Sequence, residues 1–136
     1  MKNLWTIPVI VLTCAFMFGC GNSTKSELKK IVEQNLKAAQ EEKLDLYLAD
    51  LDDSIAVATR PVMQKIFAAY DLSYKLVSFK LLSSTDTTAQ VEIVQETRKV
   101  KGPDFRDNRS TAIHTFKKGP KGWKFVASKI TEVKML

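Results

Sequence analysis

Ile113-His114-Thr115-Phe116-Lys117-Lys118-Gly119-Pro120-Lys121-Gly122-Trp123-Lys124-Phe125 alternates, turns and alternates again. Between Thr111 and Lys118 apolar and polar residues exchange places, the pattern of a strand with one face on a core. Gly119-Pro120-Lys121-Gly122 is turn chemistry, so the next strand folds back as a hairpin. There Trp123, Phe125 and Ala127 alternate with Lys124, Val126 and Ser128. Upstream the period stays at two. Ala89, Val91 and Ile93 alternate with Gln90 and Glu92 in a strand running to about Val100, and Tyr74 to Leu82 forms another. Ser83 to Thr87 supplies a turn, and a polar loop runs from Gly102 to about Asn108.

Before Tyr74 the period is helical. Thr24-Lys25-Ser26-Glu27 reads as a capping box, with Glu27 reaching back to the Thr24 backbone. Leu28, Ile31, Val32, Leu36 and Ala39 then share one face. Leu44, Tyr47, Leu48 and Leu51 make a second, short helix ended by Asp50, Asp52 and Asp53. Ile55 to Ala58 alternates weakly, as a short strand. Pro61 suits the first turn of a third helix, with Val62, Ile66, Ala69 and Tyr70 as its buried face. Helices followed by a meander indicate an α+β domain: three N-terminal helices packed on a curved antiparallel sheet of four to five strands.

The N-terminus is of another kind. Met1-Lys2-Asn3 is a short positive segment, and Leu4 to Phe18 is almost wholly apolar. That run is shorter than the roughly 20 residues a helix needs to cross a bilayer, so it reads as an export signal. Met17-Phe18-Gly19-Cys20 resembles the bacterial lipobox: Gly19 and Cys20 match and Met17 is an acceptable variant, whereas Phe18 departs from the pattern. The resemblance implies cleavage before Cys20 and a diacylglyceryl thioether on its sulfur, often with acylation of the new amine. The expected organisation is therefore a signal peptide over residues 1–19, a lipidated cysteine and short linker over 20–23, and a single domain over 24–136. The expected place is the extracytoplasmic face of the cell membrane. Cys14 leaves with the signal, so the mature chain has no partner for a disulfide and no cysteine set for a metal. A linker of three residues reaches about 10–11 Å, which places Lys25, Lys29 and Lys30 at the head groups.

Leu36-Lys37-Ala38-Ala39 and Leu44-Asp45-Leu46-Tyr47-Leu48, together with the hairpin Ile113 to Phe125, resemble the nuclear-transport-factor-2-like superfamily, a cone of curved sheet and helices. The resemblance covers residues 24 to 134. It implies a domain whose relatives include isomerases and dehydratases and also many exported accessory domains without chemistry.

Candidate site residues are few. His114, the one histidine, shares a strand face with Ala112 and Phe116, where it is either a general base at a cone mouth or a packed structural residue. Tyr47, Tyr70 and Tyr74 are candidate cavity or core aromatics. Asp50, Asp52 and Asp53 are close enough to hold a cation or act as a base, but helix termination accounts for them, and the spacing of a calcium loop is missing. Basic residues crowd Arg98, Lys99, Lys101, Arg106 and Arg109, and again Lys117, Lys118, Lys121 and Lys124. The formal charge of +6 suits anionic surroundings. Aromatics are not interleaved as nucleic-acid binding requires. Phosphate-loop, metal and nucleophile motifs are missing, so neither cofactor nor metal is expected. The sequence thus leads to a non-catalytic, membrane-anchored domain that binds a partner protein, a wall polymer or a small apolar ligand. The alternatives are a small lyase or isomerase using the cone cavity, and a purely structural module.

Overall fold

The computed structural model describes residues 20–136. The signal segment expected over residues 1–19 lies outside them. Three helices come first: α1 (Cys20–Gln40), α2 (Leu44–Ala49) and α3 (Asp53–Ala69). Four strands follow: β1 (Asp71–Ser84), β2 (Thr88–Lys101), β3 (Asn108–Gly119) and β4 (Gly122–Met135). They form one sheet in the order β1-β2-β3-β4, each antiparallel to the next. This is the expected α+β architecture.

Two helix boundaries differ from expectation. Helix α1 starts at Cys20, so residues 20–23 form its first turn and Thr24 lies inside the helix. The added turn supplies carbonyls to the amides a capping box would have served. Glu27 is engaged elsewhere: its carboxylate accepts the Trp123 indole N–H at 3.2 Å.

Helix α3 absorbs the expected strand at Ile55 to Ala58. The Asp52 side chain caps it, accepting from the Ser54 amide at 3.3 Å and the Ser54 hydroxyl at 2.6 Å. A capped start outweighs the modest helix penalty of Ile55 and Val57. Pro61 therefore sits in the helix interior rather than its first turn. It withholds the N–H that the Val57 carbonyl would accept, and Val57 lies on a water-facing side, 76% exposed. The buried face moves with the boundary: Met63 is buried, Ile66 and Phe67 are half-buried, and Val62 and Ala69 are exposed.

The strands are longer than their alternation predicts because irregularities interrupt it. Between Thr115 and Phe116 the pairing in β4 skips Val126: Thr115 faces Ala127, whereas Phe116 faces Phe125. Trp123 and Phe125 therefore share the concave face with Ser128, at its open rim, and Ala127, expected beside them, lies on the other face. In β1 the register skips Val77 and Leu82, which explains two exposed apolar residues. Such bulges raise local twist and curve the sheet.

The concave face holds the core. Leu28 and Val32 of α1 lie over Val91, Ile93 and Phe116, with Trp123 and Phe125 closing one side. Leu48 and Leu51 complete it. There the link between α2 and α3 is stitched to the β4 edge: the Asp52 amide donates to the Phe125 carbonyl at 2.8 Å, and the Phe125 amide to the Asp50 carbonyl at 2.9 Å.

Candidate functional site: a cavity under the first helix

The sheet curves away from α1 beyond Val32 and leaves a cavity of about 310 Å³. Its roof comes from Val32, Leu36 and Ala39 on α1 and from Met63 and Ile66 on α3. Its floor is Ile93, Ala112 and Phe125, and it opens to solvent at Ser128 and at Ile130, which is 65% exposed. Polar groups enter from Asn35, Tyr47, Tyr74, Gln95, Ser110, His114 and Ser128, and among the described residues no Asp, Glu, Lys or Arg lines it. Three of the candidates read from the sequence, Tyr47, Tyr74 and His114, thus meet in one place.

His114 reaches the floor because it alternates with Ala112 and Phe116 on β3. Its Nδ1 lies 2.5 Å from the Ser128 hydroxyl, and its ring stands edge-on to Phe125 at 5.2 Å. Ser128 is a site residue that simple alternation along β4 places on the wrong face. The apolar run Phe125-Val126-Ala127 was the available signal, since three in a row mark a break in a period of two. Burial pushes the His114 imidazole down to about 4, so the ring is neutral near pH 7. Burial raises the Tyr47 phenol. Burial, with Tyr47 and Glu42 nearby, pushes Tyr74 up to about 12. Both phenols keep their protons and can donate hydrogen bonds.

The His114 shift has a measurable consequence. The unfolded chain, with an ordinary imidazole near 6.5, binds the proton that the folded chain refuses. Stability from this group is thus full above pH 6.5 and falls as pH drops from 6.5 toward 4. The loss attributable to His114 is on the order of 2–3 kcal/mol. Urea unfolding of wild type and His114→Gln at pH 7 and pH 4.5 should show the wild type losing more. Equal losses would place the imidazole in water.

Other candidates lie elsewhere. Tyr70 is not in the cavity. It ends α3 in extended backbone and turns its ring onto Phe105, 5.8 Å away. Gly102 keeps that corner tight: at φ +129°, a Cβ there would lie 2.6 Å from the Ala69 carbonyl oxygen. Asp50 sits behind Asn35, whose amide nitrogen donates to it at 3.3 Å and to the Tyr47 carbonyl at 2.9 Å. Burial raises the Asp50 carboxyl, opposed by the Asn35 hydrogen bond and by Lys124. Asp52 is the α3 cap, held below the usual carboxylate range by Ser54, and Asp53 opens the helix. The three aspartates are thus parts of a helix junction. Among the described residues no three His, Cys, Asp or Glu side chains are grouped to hold a metal.

The first basic crowd is partly neutralised. Glu96 takes Arg109 at 2.5 Å and Arg98 at 3.4 Å, and these guanidinium groups, Arg109 first, hold its carboxyl low. Lys25, Lys29 and Lys30 are exposed on α1, with Lys29 3.9 Å from Glu33.

The fold has solved counterparts. A protein of unknown function from Pseudomonas putida KT2440, described as NTF2-like, superposes with a TM-score of 0.70 at 10% identity, over 82% of this chain and 88% of that one. A protein with a cystatin-like fold from Nostoc punctiforme PCC 73102 gives 0.65 at 12% identity, over 81% and 90%. The β subunit of benzoate 1,2-dioxygenase from Burkholderia mallei ATCC 23344 gives 0.65 at 8%, over 77% and 87%. At these identities the likeness shows the nuclear-transport-factor-2-like cone and nothing about activity. No curated protein matches the chain. Residues 30–136 match a family described as anti-sigma-I factor RsgI9, C-terminal domain, and this chain belongs to that family.

Proposed function

We propose that the protein is a lipid-anchored, extracytoplasmic binding domain that takes a small, uncharged, largely apolar ligand group into its cone. The observation that carries the reading is the lining of the cavity: apolar walls, hydrogen-bonding groups at Tyr47, Tyr74, His114 and Ser128, and no formal charge. Such a pocket favours neutral ligands, since a charged group would lose its hydration without a counter-ion. The lyase or isomerase reading is weaker on the same residues. A general base works best with a pKa near the working pH, and an imidazole at about 4 is a poor proton acceptor there. The family description, an anti-sigma factor, supports a regulatory use of binding, with a protein partner.

Anchoring rests on the segment ending in Gly19-Cys20. No described helix is long and apolar enough to cross a membrane, and Cys20 opens α1 directly.

The pocket is tested with N-phenyl-1-naphthylamine, a neutral apolar fluorophore. Wild type should bind it saturably. Ser110→Phe, which fills the cavity from its floor, should weaken binding roughly tenfold or more while leaving Tm nearly unchanged. Equal binding by both proteins would locate the apolar site elsewhere.

A further inference from the structure

Two lysine groups far apart in sequence meet at one end of the domain. Trp123 starts β4 beside the turn at Pro120 and Lys121, and its indole N–H is bonded to Glu27 in the second turn of α1. The β3–β4 turn therefore lies against the start of α1. Lys118 pairs with Trp123 across the hairpin and holds its ammonium 5.7 Å from the centre of the indole ring. Lys117, Lys118 and Lys121 are thus at the same end as Lys25, Lys29 and Lys30, and all six are exposed. The acidic groups nearby are partly committed: Glu27 to Trp123, Asp52 to Ser54 and Glu33 to Lys29, with Asp53 and Asp86 remaining. Lys124 is half-buried and donates to the Ala49 carbonyl.

The cavity lies toward the other end. On α1 its lining runs from Val32 to Ala39, on β4 from Phe125 to Ile130, and on β1 it includes Leu72 and Tyr74. The far end of β1, at Ser84, belongs with the β3–β4 turn, because Ser84 pairs with Ala89 and Ala89 with Phe116. Along α1, Ala39 is about 28 Å from Cys20 at the helical rise.

We propose that this lysine-rich end, formed by the β3–β4 turn and the first three turns of α1, docks on an anionic bilayer surface, with the cavity held toward the side away from it. The proposal rests on the anchor at Cys20, which starts α1 at the same end. A helix leaving the lipid attachment point directly gives the domain little freedom to stand off, so the lysines beside that point reach the head groups. Anionic lipid attracts each such lysine, and salt weakens the attraction.

The test uses residues 20–136 carrying Cys20→Ser, which contain the core cluster from Leu28 to Phe125. Binding is measured by co-sedimentation with vesicles of phosphatidylglycerol and phosphatidylcholine, and with pure phosphatidylcholine. The unlipidated protein should prefer the anionic vesicles and be released by salt. Replacing Lys25, Lys30, Lys118 and Lys121 by Gln should weaken binding roughly tenfold or more. Replacing Lys75, Lys101, Lys129 and Lys134, which removes the same charge from elsewhere, should leave it near wild type. Equal weakening by both sets, or no preference for anionic vesicles, would overturn the docking face. Mass analysis of Cys20 in the producing cell separates the two readings: an acylated Cys20 with no vesicle preference removes the docking face and leaves the anchor standing.

Discussion

Trp123→Ala is expected to destabilise the domain by about 3–5 kcal/mol. The side chain is 6% exposed and packs in the cluster of Leu28, Val32, Phe116 and Phe125. Its indole N–H also makes the bond to Glu27 that joins the last hairpin to the first helix. Alanine leaves a cavity among residues already seated on the sheet, and it removes the indole donor from the exposed Glu27 carboxylate. Small domains have a total stability of about 5–15 kcal/mol, so this one change removes a large share of it. Trp123→Phe should fall between the two, keeping most of the packing and losing a hydrogen bond worth about 1 kcal/mol. Urea unfolding at pH 7 provides the values. A loss below about 1 kcal/mol for the alanine variant would mean that Trp123 sits in water.

The hairpin around Trp123 was also the most legible part of the chain. Alternation on both arms and two glycines around Pro120-Lys121 mark a hairpin, and next to the turn the strands pair without a break from Gly119–Gly122 to Phe116–Phe125. What alternation could not convey were the residues that break it. Val126, Val77 and Leu82 are skipped by the pairing, and after each skip the inward face changes parity. Simple alternation therefore places Ser128 outward, although it partners His114 in the cavity. The boundaries of α1 and α3 differ from expectation for another reason. Thr24 and Pro61 are good helix starters in isolation, but contacts from distant sequence decide otherwise: Trp123 claims Glu27, and Asp52, tied to Phe125, caps α3 well before Pro61. Tyr47, Tyr74 and His114 were legible as cavity candidates because each lies on an apolar face. Their convergence was not, since it depends on how far the sheet curves.

Cys20→Ser should abolish acylation altogether. The thioether requires sulfur, and a serine hydroxyl does not take its place. Two acyl chains give stable anchoring, each buried methylene contributing about 0.8 kcal/mol, whereas one chain alone gives only marginal, reversible attachment. Loss of both therefore outweighs anything the basic end of the domain supplies at physiological salt. The variant should accumulate either as released protein or as unprocessed chain still carrying residues 1–19. Fractionation of cells producing it, read by immunoblot for size and location, distinguishes these forms from the mature wild type. A variant that still matures before residue 20 and partitions into detergent like the wild type would contradict the assignment.

Export and anchoring underlie the proposed location, the orientation of the cavity and the class of partner. They are tested most directly by the mass of the N-terminal peptide of wild-type protein extracted from membranes. The predicted result is a peptide that begins at Cys20 and carries a diacylglyceryl group on its sulfur, with or without a further acyl chain on the amine. A peptide that begins upstream of Cys20 with a free thiol, or one that begins at Cys20 without lipid, would contradict it.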